Sequence, residues 1–407
     1  MTPPRRAAHP PAELLAWGTF ILIGWIGLLS PSLIRSIKEG FDQTDAGIGL
    51  YYFVYAVAYA TGSLGGGLVT ERLGRRTVLT LGAALTGIGL VLMGVLPAWA
   101  AFLLAALPTA LGVGVLDGGM NGLVLDLAPS GRGRSLNMLH LFFSVGALTA
   151  PLVVGRLVDA GVVWTSIFVV TGVVGLAVAA GFARVAMPDG RVAAAVPGTL
   201  GEATDGDPAE PRDAVPTTSL LTGPLILLAV AIGVYVASEV GISNWLVRFL
   251  EPAPLTTATT ALSLFWAGLA LGRFVSSRIA DRFDHIRFAA TAAASMAVLF
   301  LAAIFAPSLE LSIALFALAG FATGPVFPMI IAIGGDRYPD RSSAVSGFLT
   351  GAAVTGSIIY PPIMGFLSVT VGLTVAMTGG ALLGFVCAGA LLLVQREPEP
   401  SLVGVSR

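Results

Sequence analysis

Two carboxyl groups stand inside apolar runs of this chain. Asp117 opens the stretch Asp117-Gly-Gly-Met-Asn121, and Glu239 lies within Tyr235-Val-Ala-Ser-Glu239-Val-Gly-Ile-Ser-Asn244-Trp245. A cation, Arg273, interrupts a third apolar run, and Asn137 and His140 fall at the start of a fourth. An ionisable side chain at the middle of a membrane-spanning helix costs about 2.5 to 3.5 kcal/mol, so each of these needs a partner or a wet cavity. A spacing of four puts Asp117 and Asn121 on one helix face, and Tyr235 and Glu239 on another. An aromatic ring beside an acid suits a sugar, which offers an apolar face to stack on and hydroxyls to bind. Arg273 reads as a fixed counter-charge to an acid. One His and one Asp fall short of the three protein ligands that zinc normally takes, and the single cysteine, Cys387, is set in an apolar run, so neither a metal nor another cofactor is expected.

These residues need elements that hold them in hydrocarbon. The chain has 407 residues, 56% of them hydrophobic and 11% charged, where a usual soluble domain has about 25% charged. Its mean hydropathy is +0.88. A soluble globule of this size is excluded, and the formal net charge of -1 argues against a nucleic-acid partner. Twelve stretches have the length to span as helices: 14-37, 46-70, 77-97, 98-126, 135-159, 162-186, 220-250, 256-280, 287-306, 309-335, 342-368 and 370-394. They are apolar all round, without the alternation of a membrane barrel. Placing both termini in the cytoplasm leaves seventeen of the twenty-two Lys and Arg residues inside, as the positive-inside rule asks. The expectation is an all-α integral membrane protein: a cytoplasmic tail at 1-13, a six-helix half at 14-186, a flexible cytoplasmic linker at 187-219, a second half at 220-394 and a tail at 395-407. The linker is rich in Pro and acids and poor in large apolar residues.

The two halves repeat. At an offset of 210, Gly62 meets Gly272, Arg72 meets Arg282, Asp126 meets Asp336 and Pro129 meets Pro339; Gly146, Pro151 and Gly155 meet Gly356, Pro361 and Gly365. Parallel repeats of this kind place a solute site near the midplane between the halves, with rocking between them giving alternating access. The same offset isolates what only one half has. Asp117 faces Phe327, Asn121 faces Ile331, His140 faces Thr350, Glu239 faces Leu29 and Arg273 faces Ser63.

The hairpin after the second expected span reads Gly67-Leu-Val-Thr-Glu71-Arg72-Leu-Gly74-Arg75-Arg76, with a degenerate copy at Asp281-Arg282-Phe-Asp284-His285. It resembles the signature of the major facilitator superfamily, with Glu71 where that pattern prefers Asp. The resemblance implies the major facilitator fold, two pseudo-symmetric six-helix halves, and a cytoplasmic gate formed by Glu71, Arg72, Arg75, Arg76, Asp281 and Arg282. Asp117, Asn121, Asn137-x-x-His140-x-Phe142, Gly272-Arg273-Phe274, Phe327-Pro328 and Pro361-x-x-x-Gly365 are similar to the fucose-galactose-glucose:proton symporter family. That likeness implies proton coupling at Asp117 and Glu239, and solute contacts from Asp117, Asn121, Asn137, His140, Tyr235, Glu239, Asn244 and Trp245. One departure is that Trp25-Ile-Gly-Leu-Leu-Ser30-Pro31 lacks the carboxylate of the fucose transporters.

The function expected is therefore uptake of a monosaccharide or similar polyhydroxylated solute, coupled to protons or another cation, by a monomer in the inner membrane of a bacterium. A proton antiporter exporting a hydrophobic compound is the rival, because Gly146-x-x-x-Ala150-Pro151-x-x-Val154-Gly155 resembles a degraded antiporter signature. A transport-defunct nutrient sensor ranks below both, since tails and linker this short leave no signalling domain. An enzyme is not expected: no metal cluster, cysteine nucleophile or loop-borne acid pair is present.

Overall fold

With no water in hydrocarbon to serve the backbone, a spanning segment must satisfy its own N–H and C=O groups, and apolar runs of about 20 residues do so as helices. The computed structural model describes residues 10–127, 132–188 and 222–396, and the regular structure among them is helical. The helices are α1 (Pro10–Ser32), α2 (Ile34–Gly40), α3 (Asp45–Leu73), α4 (Arg75–Val95), α5 (Trp99–Leu127), α6 (Arg132–Asp159) and α7 (Trp164–Arg184) in the first half. The second half holds α8 (Gly223–Phe249), α9 (Leu255–Ile279), α10 (His285–Ile304), α11 (Leu309–Thr323), α12 (Val326–Arg337), α13 (Ser342–Thr370) and α14 (Leu373–Arg396). Eleven segments are long and apolar enough to cross a membrane, with α11 and α12 together forming one. The twelfth expected span corresponds to α3, which has 29 residues but carries four tyrosines, and falls outside those eleven. It packs lengthwise on α5 and α13.

Two of the expected spans are broken at proline. The first span ends at Ser32, just past Pro31, and the chain restarts as the short α2 instead of running on to residue 37. The stretch at 309-335 divides at Gly324-Pro325, because neither Pro325 nor Pro328 has an N–H to continue the ladder.

The repeat is physical. In the first half α1 packs on α6, α3 on α5 and α4 on α7; in the second, α8 packs on α13, α9 on α11 and α10 on α14. Gly62 lies against the Leu111 carbonyl and Gly272 against that of Phe321, so both the glycines and their partners are 210 apart. Without water to drive apolar surfaces together, such small residues let helix backbones approach closely. One register differs from the expectation. Gly146 packs against Ile21 and Trp25, whereas Gly356 packs against Gly233 and Ala237, an offset of 212 for the first helix of each half. Glu239 is therefore the counterpart of Gly27 and not of Leu29.

The described chain begins and ends on one face, at Pro10 and Arg396, here called the near face; the other is the far face. Between described residues, every hydrogen bond and ion pair that joins the halves lies toward the far face. Arg35 donates to the carbonyls of Val247 at 2.8 and 3.0 Å and of Ala253 at 2.8 Å. Tyr52 donates to the Asn244 carbonyl at 3.0 Å. Asp45, 4% exposed, accepts from Lys38, from Arg248 at 3.0 Å and from Ser368 at 2.5 Å. The backbones of α3 and α13 touch at Gly49 and Gly365, and the Gly155 backbone of α6 lies against the Thr259 side chain of α9. These two contacts are repeat equivalents, since Thr259 is Gly49 plus 210 and Gly365 is Gly155 plus 210. Toward the near face the halves stand apart: among the described residues α5 and α12 make no substantial contact with the opposite half.

Candidate functional site

The contacts between the halves gather at the far face, and the space between the halves toward the near face is here called the chamber; Asp117 belongs to one half, its first wall, and Glu239 to the other, its second wall. On the first wall Asp117 projects from α5 and its Oδ2 accepts from the Tyr59 hydroxyl of α3. Asn121, one turn on, donates to the Asp117 carbonyl at 2.9 Å and reaches Oδ1 at 3.4 Å. His140 on α6 is exposed, packs edge-on against Phe20 at 5.6 Å, and interacts electrostatically with Asp117. The cluster expected from the spacing of Asp117, Asn121 and His140 therefore forms. Asn137 lies on α6, and its side chain is outside the described residues.

On the second wall Glu239 is 6% exposed on α8, within reach of the Tyr235 hydroxyl. That hydroxyl donates to the Thr323 carbonyl at 3.2 Å, at the break between α11 and α12. Arg273 interacts electrostatically with Glu239 and also with His140 across the chamber. Its charge acts on Glu239 from a distance. No ion pair within 4 Å joins it to Glu239, and its buried Nε has no hydrogen-bond partner. The Tyr55 hydroxyl, one turn from Tyr59, is likewise buried and unpartnered. A buried donor without an acceptor forfeits about 1 to 3 kcal/mol.

Other expected contacts are already engaged. Trp245 is fully buried, donates Nε1 to the Pro361 carbonyl at 3.0 Å and meets Tyr52 edge-on at 5.8 Å. The carbonyl of its neighbour Asn244 is taken by Tyr52. The indole of Trp245 thus belongs to the far seal, and Asn244 contributes its backbone there. Tyr59 and Tyr55 are the residues that sequence reasoning missed. The signal was there: four of the chain's seven tyrosines fall at 51, 52, 55 and 59, with Tyr51, Tyr55 and Tyr59 on one helix face.

At the near face Arg75 and Arg76 bond to the first half and to the start of the segment that follows it. Arg75, buried at 7%, pairs with Asp126 at 2.7 Å and donates to the Pro188 carbonyl at 3.3 Å. Arg76 donates to the Val185 carbonyl at 3.0 Å, while Glu71 and Arg72 are exposed. In the second half His285 meets Asp336 at 3.1 Å. His285 is Arg75 plus 210 and Asp336 is Asp126 plus 210, so a weaker copy of the first-half clasp survives. Arg282 is exposed, and the side chain of Asp281 is outside the described residues. A cavity of about 330 Å³ beside His285 and Asp336 and a larger groove between α10 and α14 both lie away from Asp117 and Glu239. Among the described residues no group of three His, Cys, Asp or Glu side chains could hold a metal.

The comparisons agree with this architecture. The glucose/galactose transporter of Brucella abortus biovar 1 is 27% identical over 380 residues, covering 88% of this chain and 87% of that protein. A bacterial homologue of the human lysosomal transporter Spinster superposes with a TM-score of 0.78 at 15% identity, over 96% of this chain and 98% of that one. The Escherichia coli fucose:proton symporter does so with a TM-score of 0.60 at 18% identity, over 96% and 99%. The model of the Major Facilitator Superfamily matches residues 15–252 and 252–406. With both repeats matched and two equivalent halves sealed at one face around opposed carboxyls, the chain belongs to the major facilitator superfamily of transporters and is not an enzyme.

Proposed function

We propose that this protein is a proton-coupled importer of a monosaccharide or similar polyhydroxylated solute, working by alternating access, and that the conformation described is open to the cytoplasm. The observation that carries the reading is the opposition of Asp117 and Glu239. Each is an unrepeated carboxyl beside a tyrosine hydroxyl, one in each half. The unpartnered Arg273 Nε and Tyr55 hydroxyl between them match the acceptor oxygens of a sugar. The glucose/galactose transporter of Brucella abortus, aligned over most of its length, supports a hexose as substrate class.

Asp117 and Glu239 are assigned to proton coupling and Asn121, Asn137, His140, Tyr235 and Glu239 to the solute. Near is cytoplasmic on the arginine bias, α3 makes the twelfth span, residues 187-219 link the halves in the cytoplasm, and the functional unit is a monomer in a bacterial inner membrane. The antiporter reading loses its support. Gly146 and Gly155, the glycines of its signature, are packing residues whose counterparts Gly356 and Gly365 play the same part.

The test is glucose, galactose and fucose uptake into proteoliposomes with and without an imposed pH gradient. Accumulation only with the gradient is the result expected; gradient-independent equilibration, or transport of drugs and no sugar, overturns the proposal. External labelling of a cysteine placed at Asp205 in intact cells would reverse the assigned orientation.

A further inference from the structure

The outer wall of the second half holds a groove of about 730 Å³ between α10 and α14, on the side away from the chamber. Arg287, Thr291, Ser295 and Val298 line it from α10, three and four residues apart and so on one helix face, and Leu392 and Gln395 line it from α14. Arg287 sits in the first turn of α10 and Gln395 in the last turn of α14, which places both at the near face. The α10 lining continues to Leu299. At a rise of about 1.5 Å per residue it is ~18 Å long, against ~15 Å for half of a hydrocarbon layer of about 30 Å. The groove thus runs from headgroup level through one leaflet.

Its polar groups are unspent. Beyond the helix ladder, the hydrogen bond of Arg287 among the described residues is its backbone N–H to Asp284 Oδ1 at 2.8 Å, and no ion pair there engages its guanidinium. Helical Thr86, Thr109 and Thr171 return their hydroxyls to the carbonyl four residues back. Thr291 and Ser295 make no such bond among the described residues, so two donors remain one and two turns below the guanidinium.

We propose that this groove binds one anionic phospholipid of the near leaflet. Its phosphate pairs with Arg287, its ester oxygens accept from Thr291 and Ser295, and an acyl chain lies along Val298 and Leu392. No Asp or Glu lines the groove. An ammonium headgroup finds no counter-charge there, whereas a net negative one is compensated by Arg287.

The experiment is native mass spectrometry of the purified full chain released from detergent with phosphatidylglycerol, phosphatidylcholine or the water-soluble headgroup glycerophosphoglycerol. Phosphatidylglycerol is expected to be retained over phosphatidylcholine. Arg287→Gln should lower that retention about fivefold (~1 kcal/mol) while Arg287→Lys keeps it. Ala294→Phe, which fills the groove floor, should lower retention of both lipids. The wild-type chain tests the idea by itself, since the preference must shrink as ionic strength rises. Equal retention of the two lipids, or a preference insensitive to salt and to Arg287→Gln, overturns the proposal. Retention of the headgroup alone overturns it too, in favour of a free phosphate site.

Discussion

Asp45 on α3 and Arg248 on α8 meet at 3.0 Å across the seam between the halves, at the far mouth. The same carboxylate holds Lys38 and Ser368, so one buried acid of the first half ties down two helices of the second. Such a knot stabilises only conformers in which the far ends touch, and so acts on the balance between states.

Asp45→Asn is expected to release that knot. A charge-assisted hydrogen bond contributes about 1.5 to 3 kcal/mol, so the far-closed population should fall about thirtyfold relative to the far-open one at ~2 kcal/mol. Spin-label distances from Glu39 to Thr256 read the change. Unaltered distances would show that backbone packing alone holds the mouth.

Acid should act like that substitution. Burial works against the Asp45 charge, but hydrogen bonds from Lys38, Ser368 and Arg248 outweigh it and hold the carboxyl below its ordinary value. A depressed carboxyl favours the closed mouth when ionised. Its contribution is complete above the usual Asp value of about 3.9 and is lost as pH falls through the lower value of the closed state. The Glu39 to Thr256 distance should therefore lengthen only below pH ~4 in the wild type and show no such step in Asp45→Asn.

Gly365 sets how near α3 and α13 come. A Cβ there would lie 2.5 Å from the Asp45 carbonyl and 2.9 Å from Gly49 Cα, both backbone atoms that have no rotamer to yield. Gly365→Val should hold the far mouth open without unfolding either half. Accessibility of a cysteine at Asn244 to a membrane-impermeant maleimide should rise from far-side protection to ready labelling. Continued protection would mean that the seal tolerates a wider spacing.

Much of this was legible in the sequence because apolar length and repeat spacing are enforced by the bilayer. The offset of 210 found Gly62 and Gly272, and with them the packing of α3 on α5 and α9 on α11. It misplaced the counterpart of Glu239 by two residues, since loops absorb insertions that leave helix contacts unchanged. Asp117 and Asn121 were legible as a pair because helix geometry fixes a spacing of four, whereas Tyr59 reaches Asp117 only through the packing of α3 on α5. Trp245 looked like a solute contact by type, and only the crossing of α8 with α13 shows that its indole N–H is spent on the Pro361 carbonyl. The direction of the gate arginines likewise depends on conformation, which spacing does not encode.

Arg75→Ala should lower stability and leave the conformer balance alone. Its partners are Asp126 of the first half and the Pro188 carbonyl just after it, and neither lies in the second half. Asp126 is about half exposed, so screening holds the loss to ~1 kcal/mol, or roughly 2 to 4 °C in Tm. A shift in near-face spin-label distances with unchanged Tm would restore a latch across the seam.

Asp117 and Glu239 are expected to divide coupling and binding unequally. Asp117 is accepting from Tyr59 and Asn121, a first-half cage that a neutral amide fills without a proton to give up. Asp117→Asn should therefore keep solute binding and exchange while losing accumulation against a gradient. Glu239 stands beside Tyr235 and the unpartnered Arg273, where a sugar hydroxyl would bridge acid and cation. Glu239→Gln gives up a charged acceptor, and a hydrogen bond to a charged group contributes about 1.5 to 3 kcal/mol, so the solute Kd should rise ten- to a hundredfold. Proteoliposomes loaded with solute separate the two, since counterflow needs binding alone and net accumulation needs the proton. If Asp117→Asn still concentrates solute under a pH gradient while Glu239→Gln exchanges but cannot concentrate it, the roles of the two walls are reversed.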